Sequence, residues 1–192
     1  MMDIIVSNLS KSFGSKRVLD RFNATFPARS VTCLMGPSGC GKTTLLNILM
    51  GLMQADSGEI AGMPQLKSAV FQEDRLCESF NAVANVRLVC DKGVNNEEII
   101  RHLERVGLAG SWQQAVSELS GGMRRRVAIV RAMLAPSEIL FLDEPFKGLD
   151  QDTKQMTMQY VKDNIKEKTV IMVTHSLEEA EAFADQLIVM GF

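Results

Sequence analysis

Short apolar runs recur along the chain and predict strands over Ile4 to Leu9, Val18 to Phe26, Val31 to Met35, Ser68 to Phe71, Ile139 to Leu142, Val170 to Val173 and Leu187 to Met190. The middle runs are continuous rather than alternating, the pattern of strands buried on both faces of a parallel sheet covered by helices. Helical periodicity lies between them, over Lys42 to Gly51, Asn95 to Val106, Gly122 to Leu134, Gln151 to Ile165 and Leu177 to Ala184. Ser176 followed by Glu179 reads as a capping box, and Asp150 as the cap of the helix before it. Between Phe71 and Ile139 strand–helix alternation gives way to helical segments with polar links. The expected fold is therefore α/β, with a mostly parallel sheet, an antiparallel β portion near the N-terminus and an inserted helical subdomain. The boundaries expected within a single domain of residues 1–192 are a core of 1–72 and 137–192 and a helical part of about 73–136.

Composition narrows the classes. With 192 residues the chain suits one domain, and 21 Lys and Arg against 23 Asp and Glu leave a net charge of −2, so no global positive field draws it to nucleic acid or anionic lipid. The four cysteines, Cys33, Cys40, Cys77 and Cys90, form no C-x-x-C pair and suggest a reducing cytosol rather than a disulfide framework or a zinc site. No apolar stretch approaches the ~18 residues of a membrane span, so the chain is expected neither to cross a membrane nor to enter a secretion route by itself.

The sharpest chemistry lies after the third strand. Gly36-Pro37-Ser38-Gly39-Cys40-Gly41-Lys42-Thr43 has the spacing G-x-x-x-x-G-K-[ST] between a strand and a helix, the context a phosphate cradle requires and the mark of a P-loop NTPase core. Converging backbone N–H groups and the helix dipole favour phosphate there. Lys42 is expected at the β- and γ-phosphates, the Thr43 hydroxyl at Mg²⁺ and Thr44 at a phosphate. The strand Ile139 to Leu142 runs into Asp143 and Glu144, and ligand crevices of parallel sheets lie beyond the carboxyl ends of strands. Alternation along a strand separates the tasks of the two acids, Asp143 toward Mg²⁺ and Glu144 toward the attacking water. Gln72 and His175 end two further strands. His102, in a polar helix pattern, is expected as solvated surface.

A second anion pocket is written at Leu119-Ser120-Gly121-Gly122, a capped helix start after a glycine pair. One triphosphate held by residues 36–43 leaves no phosphate for it on the same chain, so the economical arrangement is two copies head to tail, each lending Ser120, Gly121 and Gly122 to its partner's γ-phosphate.

In that order, Gly36 to Thr43 (Walker A), Gln72, Leu119 to Gly122, Ile139 to Glu144 (Walker B), Gly148-Leu149-Asp150 and His175 resemble the ATPase subunit of ATP-binding cassette (ABC) transporters over nearly the whole chain. Met123 together with Asp143 to Phe146 is similar to the nitrate, sulfonate and taurine importer branch. The resemblance implies ATP and Mg²⁺ as ligands and an ATP-sandwich homodimer. It also implies Gln72 at the γ-phosphate, the metal and the membrane partner, Asp150 in the subunit contact, His175 at the γ-phosphate and Phe13 stacked on adenine. It further implies an integral membrane permease, an extracytoplasmic solute-binding protein, no nucleic acid, and a place peripheral on the inner face of the cell membrane. Glu73, Asp74, Arg75, Leu76 and Phe80 are the expected exposed candidates for the permease contact.

Departures are Arg125 where the importer branch usually has Gln, a compressed stretch from Gly58 to Gln72, and an end at Phe192 where relatives run longer. At least one of Arg124, Arg125 and Arg126 is expected as plain solvated surface. Two competing classes are a soluble ABC-type machine such as an iron–sulfur assembly component and a P-loop kinase; the kinase gives no reason for Leu119 to Gly122.

Overall fold

The computed structural model describes residues 2–191; Met1 and Phe192, the two ends of the expected domain, lie outside the described residues. The chain divides into two compact units: the described residues of Met1–Lys67, Glu138–Glu144 and Glu167–Phe192 form one, and Ser68–Ser137 with Pro145–Lys166 form the other.

The first unit opens with an antiparallel sheet of order β2-β1-β4, formed by β1 (Ile4–Phe13), β2 (Lys16–Phe26) and β4 (Ser57–Ala61). Its inward residues Ile4, Val6, Leu9, Leu19 and Phe26 are buried, the alternation of a sheet with one wet face. The second sheet has the order β5-β6-β7-β3-β8, from β3 (Val31–Met35), β5 (Lys67–Val70), β6 (Ile139–Asp143), β7 (Thr169–Val173) and β8 (Gln186–Val189). The pairs β6–β7, β3–β7 and β3–β8 are parallel, with Leu142 opposite Met172 and Leu34 opposite Val173. All of β6 and β7 and four of the five residues of β3 are buried, as their unbroken apolar runs require. Helix α1 (Lys42–Met50) follows β3 and stops at Gly51, whose φ of 81° supplies a left-handed C-terminal turn. α6 (Leu177–Phe183) leads into β8.

Apart from residues 68–70 of β5, the regular structure of the second unit is helical, chiefly α2 (Ala82–Arg87), α3 (Asn96–Arg105), α4 (Gly121–Leu134) and α5 (Gln151–Asn164). Ile99, Leu103, Val106 and Leu108 of the α3 region and Val127, Ile129 and Val130 of α4 are buried, and the two helices are in contact. Asn85 is wholly buried, and its amide is satisfied by the backbone of Cys77, Phe80 and Asn81, which fixes the loop before α2.

Three expectations are corrected. His102 is half-buried, not solvated: its Nδ1 lies 2.8 Å from the hydroxyl of buried Tyr160, the rings meeting edge to face at 83°. Ser176 caps α6 by accepting from Glu179 N–H, but the Glu179 carboxylate accepts from the Thr174 hydroxyl, and the Ser176 N–H donates to that same hydroxyl rather than to Glu179. The capping box is thus only half made. None of the three consecutive arginines is plain surface, since Arg125 is buried, Arg126 donates to the carbonyls of Gly122, Val106 and Gly107, and Arg124 is half-buried.

Candidate functional site

The cradle is a tight loop between β3 and α1. Two of its glycines are demanded by crowding: a Cβ at Gly36 would stand 2.3 Å from the Met190 carbonyl oxygen, and one at Gly41 would stand 2.9 Å from the Val18 side chain. Lys42 is buried, and its ammonium donates to the carbonyls of Gly36 at 2.8 Å and Pro37 at 2.9 Å, so the charge is held inside the loop. Pro37, Ser38, Gly39 and Thr43 are exposed, while Cys40 and Thr44 are half-buried.

The helix starts differ in a telling way. Asn81, Asn95, Ser120, Asp150 and Ser176 cap α2 to α6, each with its own side chain. The cap of α1 is Gly41, at φ 104°, which makes no side-chain hydrogen bond. The first N–H groups of α1 therefore receive no such internal acceptor, the arrangement in which an external anion completes a helix.

At the end of β6 the two acids take different partners. Asp143 is buried, and its Oδ2 accepts from the Thr43 hydroxyl at 3.0 Å. A hydroxyl and a carboxylate side by side offer the hard oxygen donors that Mg²⁺ prefers, so this pair fits the metal that a triphosphate carries. Among the described residues no cluster of three or more His, Cys, Asp or Glu side chains stands ready to hold a metal without such a ligand. Glu144 leaves the strand: its φ is 48°, its N–H donates to the Val173 carbonyl, and its Oε1 lies 2.9 Å from His175 Nε2. A left-handed turn, rather than the strand alternation expected from sequence, separates the two carboxylates. His175 is half-exposed on the turn after β7, which the Thr174–Glu179 hydrogen bond and the Thr174–Ser176 bond brace. Thr174 and Glu179 are supports of the functional site that the sequence pattern does not reveal as such; the pattern pairs Glu179 with Ser176, which holds for its N–H, but not with Thr174, whose hydroxyl its carboxylate accepts from.

Phe13, at the end of β1, is 48% exposed, so it is available for a contact outside the core, and Lys11 Nζ lies 5.8 Å from its ring centroid. The structure thus brings residues 36–44, Asp143, Glu144 and His175 into one unit.

Gln72, Ser120, Gly121, Gly122 and Asp150 belong to the second unit. Gln72 is exposed on the irregular segment after β5, and Ser120 and Gly121 are exposed at the start of α4. Ser120 Oγ accepts from Met123 N–H at 3.2 Å, and a Cβ at Gly122 would stand 3.4 Å from the Leu149 side chain. Asp150 caps α5 through Thr153 N–H, and this hydrogen bond lowers its proton affinity. Of the expected permease-contact residues Asp74 and Leu76 are half-buried, Asp74 being paired with Arg125 at 3.3 Å, which removes both from the exposed set, whereas Glu73 and Arg75 are exposed and Phe80 is 43% exposed. Among the described residues no helix is long and apolar enough to cross a membrane.

A phosphate cradle on a buried parallel sheet, with an acidic strand end beside it, defines a P-loop ATPase. The profile of the family described as ABC transporter matches residues 19–147. The chain is 39% identical over 190 residues to the aliphatic sulfonates import ATP-binding protein SsuB 1 of Nocardia farcinica, covering 97% of this chain and 77% of that protein. It is 39% identical over 197 residues to SsuB 2 of Pseudomonas fluorescens, covering 97% and 73%. It is 37% identical over 207 residues to the bicarbonate transport ATP-binding protein CmpD of Synechococcus elongatus, covering 97% and 74%. The chain belongs to the ABC transporter family and is an ATP-binding, ATP-hydrolysing subunit.

Proposed function

We propose that this chain powers import of a small solute by closing head to tail with a second copy over two ATP molecules, each chain supplying half of each hydrolysis centre. The observation that carries this reading is the division at the end of β6, where Asp143 meets Thr43 and Glu144 meets His175.

In the first unit, Lys42 and the α1 N-terminus balance the charge of the triphosphate, with residues 36–44 wrapping it. Thr43 and Asp143 hold Mg²⁺, joined by Gln72; bound there, the ion neutralises charge that develops on the phosphates. Glu144 accepts the proton of the attacking water, and the proton on His175 Nε2 holds the Glu144 carboxylate in place while His175 also faces the γ-phosphate. Phe13 offers its ring face to adenine.

The partner's Ser120, Gly121 and Gly122 complete the opposite side. The Ser120 hydroxyl already accepts from Met123 N–H, and its own O–H is free by chemistry to donate to a phosphate oxygen while that cap stays intact. Asp150 lies in the subunit contact. The import names of the relatives support transport over a soluble iron–sulfur role, and with them an integral membrane permease and an extracytoplasmic solute-binding protein in one system. The site of action is then the inner face of the cell membrane, and the net charge of −2 gives no reason to add nucleic acid.

The test is Glu144→Gln. The amide still accepts from His175 but takes no proton, so turnover is expected to fall by roughly 10²- to 10⁴-fold, the contribution of a general base, while ATP binding persists and a dimer accumulates in Mg-ATP. Sedimentation at rising protein concentration reads the outcome. A variant saturated with Mg-ATP that sediments only as a monomer sinks the shared-site reading, and steady hydrolysis at the normal rate removes Glu144 from the base role.

A further inference from the structure

We propose that Arg125 is a positioning residue that sets Gln72 relative to the helix beginning at Ser120, so that these two parts of the second unit are presented together. The proposal rests on the roles given above to Gln72 and Ser120.

The segment 71–75 follows β5 without regular structure, so its carbonyls need donors from elsewhere. Two arginines of α4 supply them. Arg125 Nη1 donates to the Phe71 carbonyl and Nη2 to the Gln72 carbonyl, both at 2.5 Å, while its Nε faces the Asp74 carboxylate at 3.3 Å. Arg131 Nη1 donates to the Arg75 carbonyl at 2.7 Å and Nη2 to the Asp74 carbonyl at 2.9 Å. Arg75 sits at φ 47°, and its guanidinium stacks 3.8 Å from the Phe71 ring centroid. A non-glycine residue in the left-handed region persists where its surroundings over-determine it, and here the surroundings are these two guanidinium forks.

The consequence falls on Gln72. Its side chain is exposed, but its backbone is pinned by a buried cation on the same helix whose first residues are Gly121 and Gly122. A planar fork gripping two adjacent carbonyls fixes direction as well as distance, which a single donor does not. Arg125 touches neither nucleotide nor metal in this arrangement and acts through Gln72.

A double-mutant cycle separates positioning from mere packing. Steady-state ATP hydrolysis (kcat and KM), ATP Kd and thermal unfolding are measured on the full chain for wild type, Gln72→Ala, Arg125→Ala and the double variant. Arg125→Ala is expected to lower kcat about tenfold or more, within the range of couplings between contacting residues, with ATP Kd within about twofold of wild type. The double variant is expected to be no slower than Gln72→Ala alone. Arg125→Gln, which keeps one amide donor and a smaller risk to folding, is expected to lie between, and its loss should vanish in the Gln72→Ala background. Additive losses beside a slow Gln72→Ala overturn the clamp and leave the site reading standing. A lowered Tm with kcat unchanged also overturns it. If Gln72→Ala turns over normally, the clamp and the role of Gln72 fall together.

Discussion

Replacing Lys42 by Met removes one positive charge and keeps the apolar stem, which isolates what the ammonium does. In the structure that ammonium is buried and donates to two loop carbonyls, at 2.8 and 2.9 Å. A hydrogen bond to a charged group contributes about 1.5–3 kcal/mol. If the ammonium exchanges one carbonyl for a phosphate oxygen on binding, Lys42→Met weakens ATP affinity by the same amount, roughly 10- to 150-fold. Folding stability responds far less. Burying an ammonium costs several kcal/mol, which offsets the two bonds, and the freed carbonyls sit on a loop with exposed neighbours that water reaches. The net change is expected below about 1 kcal/mol, or a Tm shift under about 4 °C for a chain of this size. Calorimetric titration with Mg-ATP reads the affinity and a thermal melt reads the fold. An ATP Kd within twofold of wild type refutes the cradle assignment; a collapsed Tm refutes the separation of binding from folding.

Two more outcomes follow from the geometry. Gly36→Ala forces a methyl against the Met190 carbonyl at 2.3 Å with φ at 149°, and overpacking of this kind costs about 1–3 kcal/mol; a Tm lower by at least about 2 °C is expected, and an unchanged melt contradicts the contact. Burial beside Tyr160 holds the His102 pKa below its usual 6.5. On acidification through 6.5 the unfolded chain takes up a proton before the folded chain does, so this contribution to stability is present above 6.5 and is lost as pH falls toward the lower folded value. Tm measured from pH 8 to pH 5 should fall more in wild type than in His102→Phe, and parallel curves would remove His102 as the cause.

The parts of the fold legible in the sequence are those whose signal is local. β3, β6 and β7 announce themselves because a strand buried on both faces must be apolar throughout. The cradle is legible because its glycine spacing and flanking elements are contiguous. β4 is not: Ser57–Ala61 contains little apolar surface, and it is a strand because β1 lies beside it, Gly58 allowing Asn8 and Leu9 to approach. α2 is too short for a period to show. His102 looks solvated in its own segment because its partner Tyr160 stands 58 residues away. Arg125 stands out as unusual in the sequence, but its acceptors are backbone carbonyls, which every residue carries and no side-chain pattern reveals. The turn at Glu144 is hidden for a related reason, since φ is a property that tertiary contacts impose.

The glycine at the start of α1 has a thermodynamic corollary. A helix whose opening turn is finished from outside gains cohesion in proportion to how often that outside group is present, and mass action puts the gain at about 2.7 kcal/mol when ligand stands at 100 times its Kd. Energy charge in the surroundings and resistance of the first unit to unfolding are then linked, so starvation for nucleotide would show itself as a softer protein as well as an idle one.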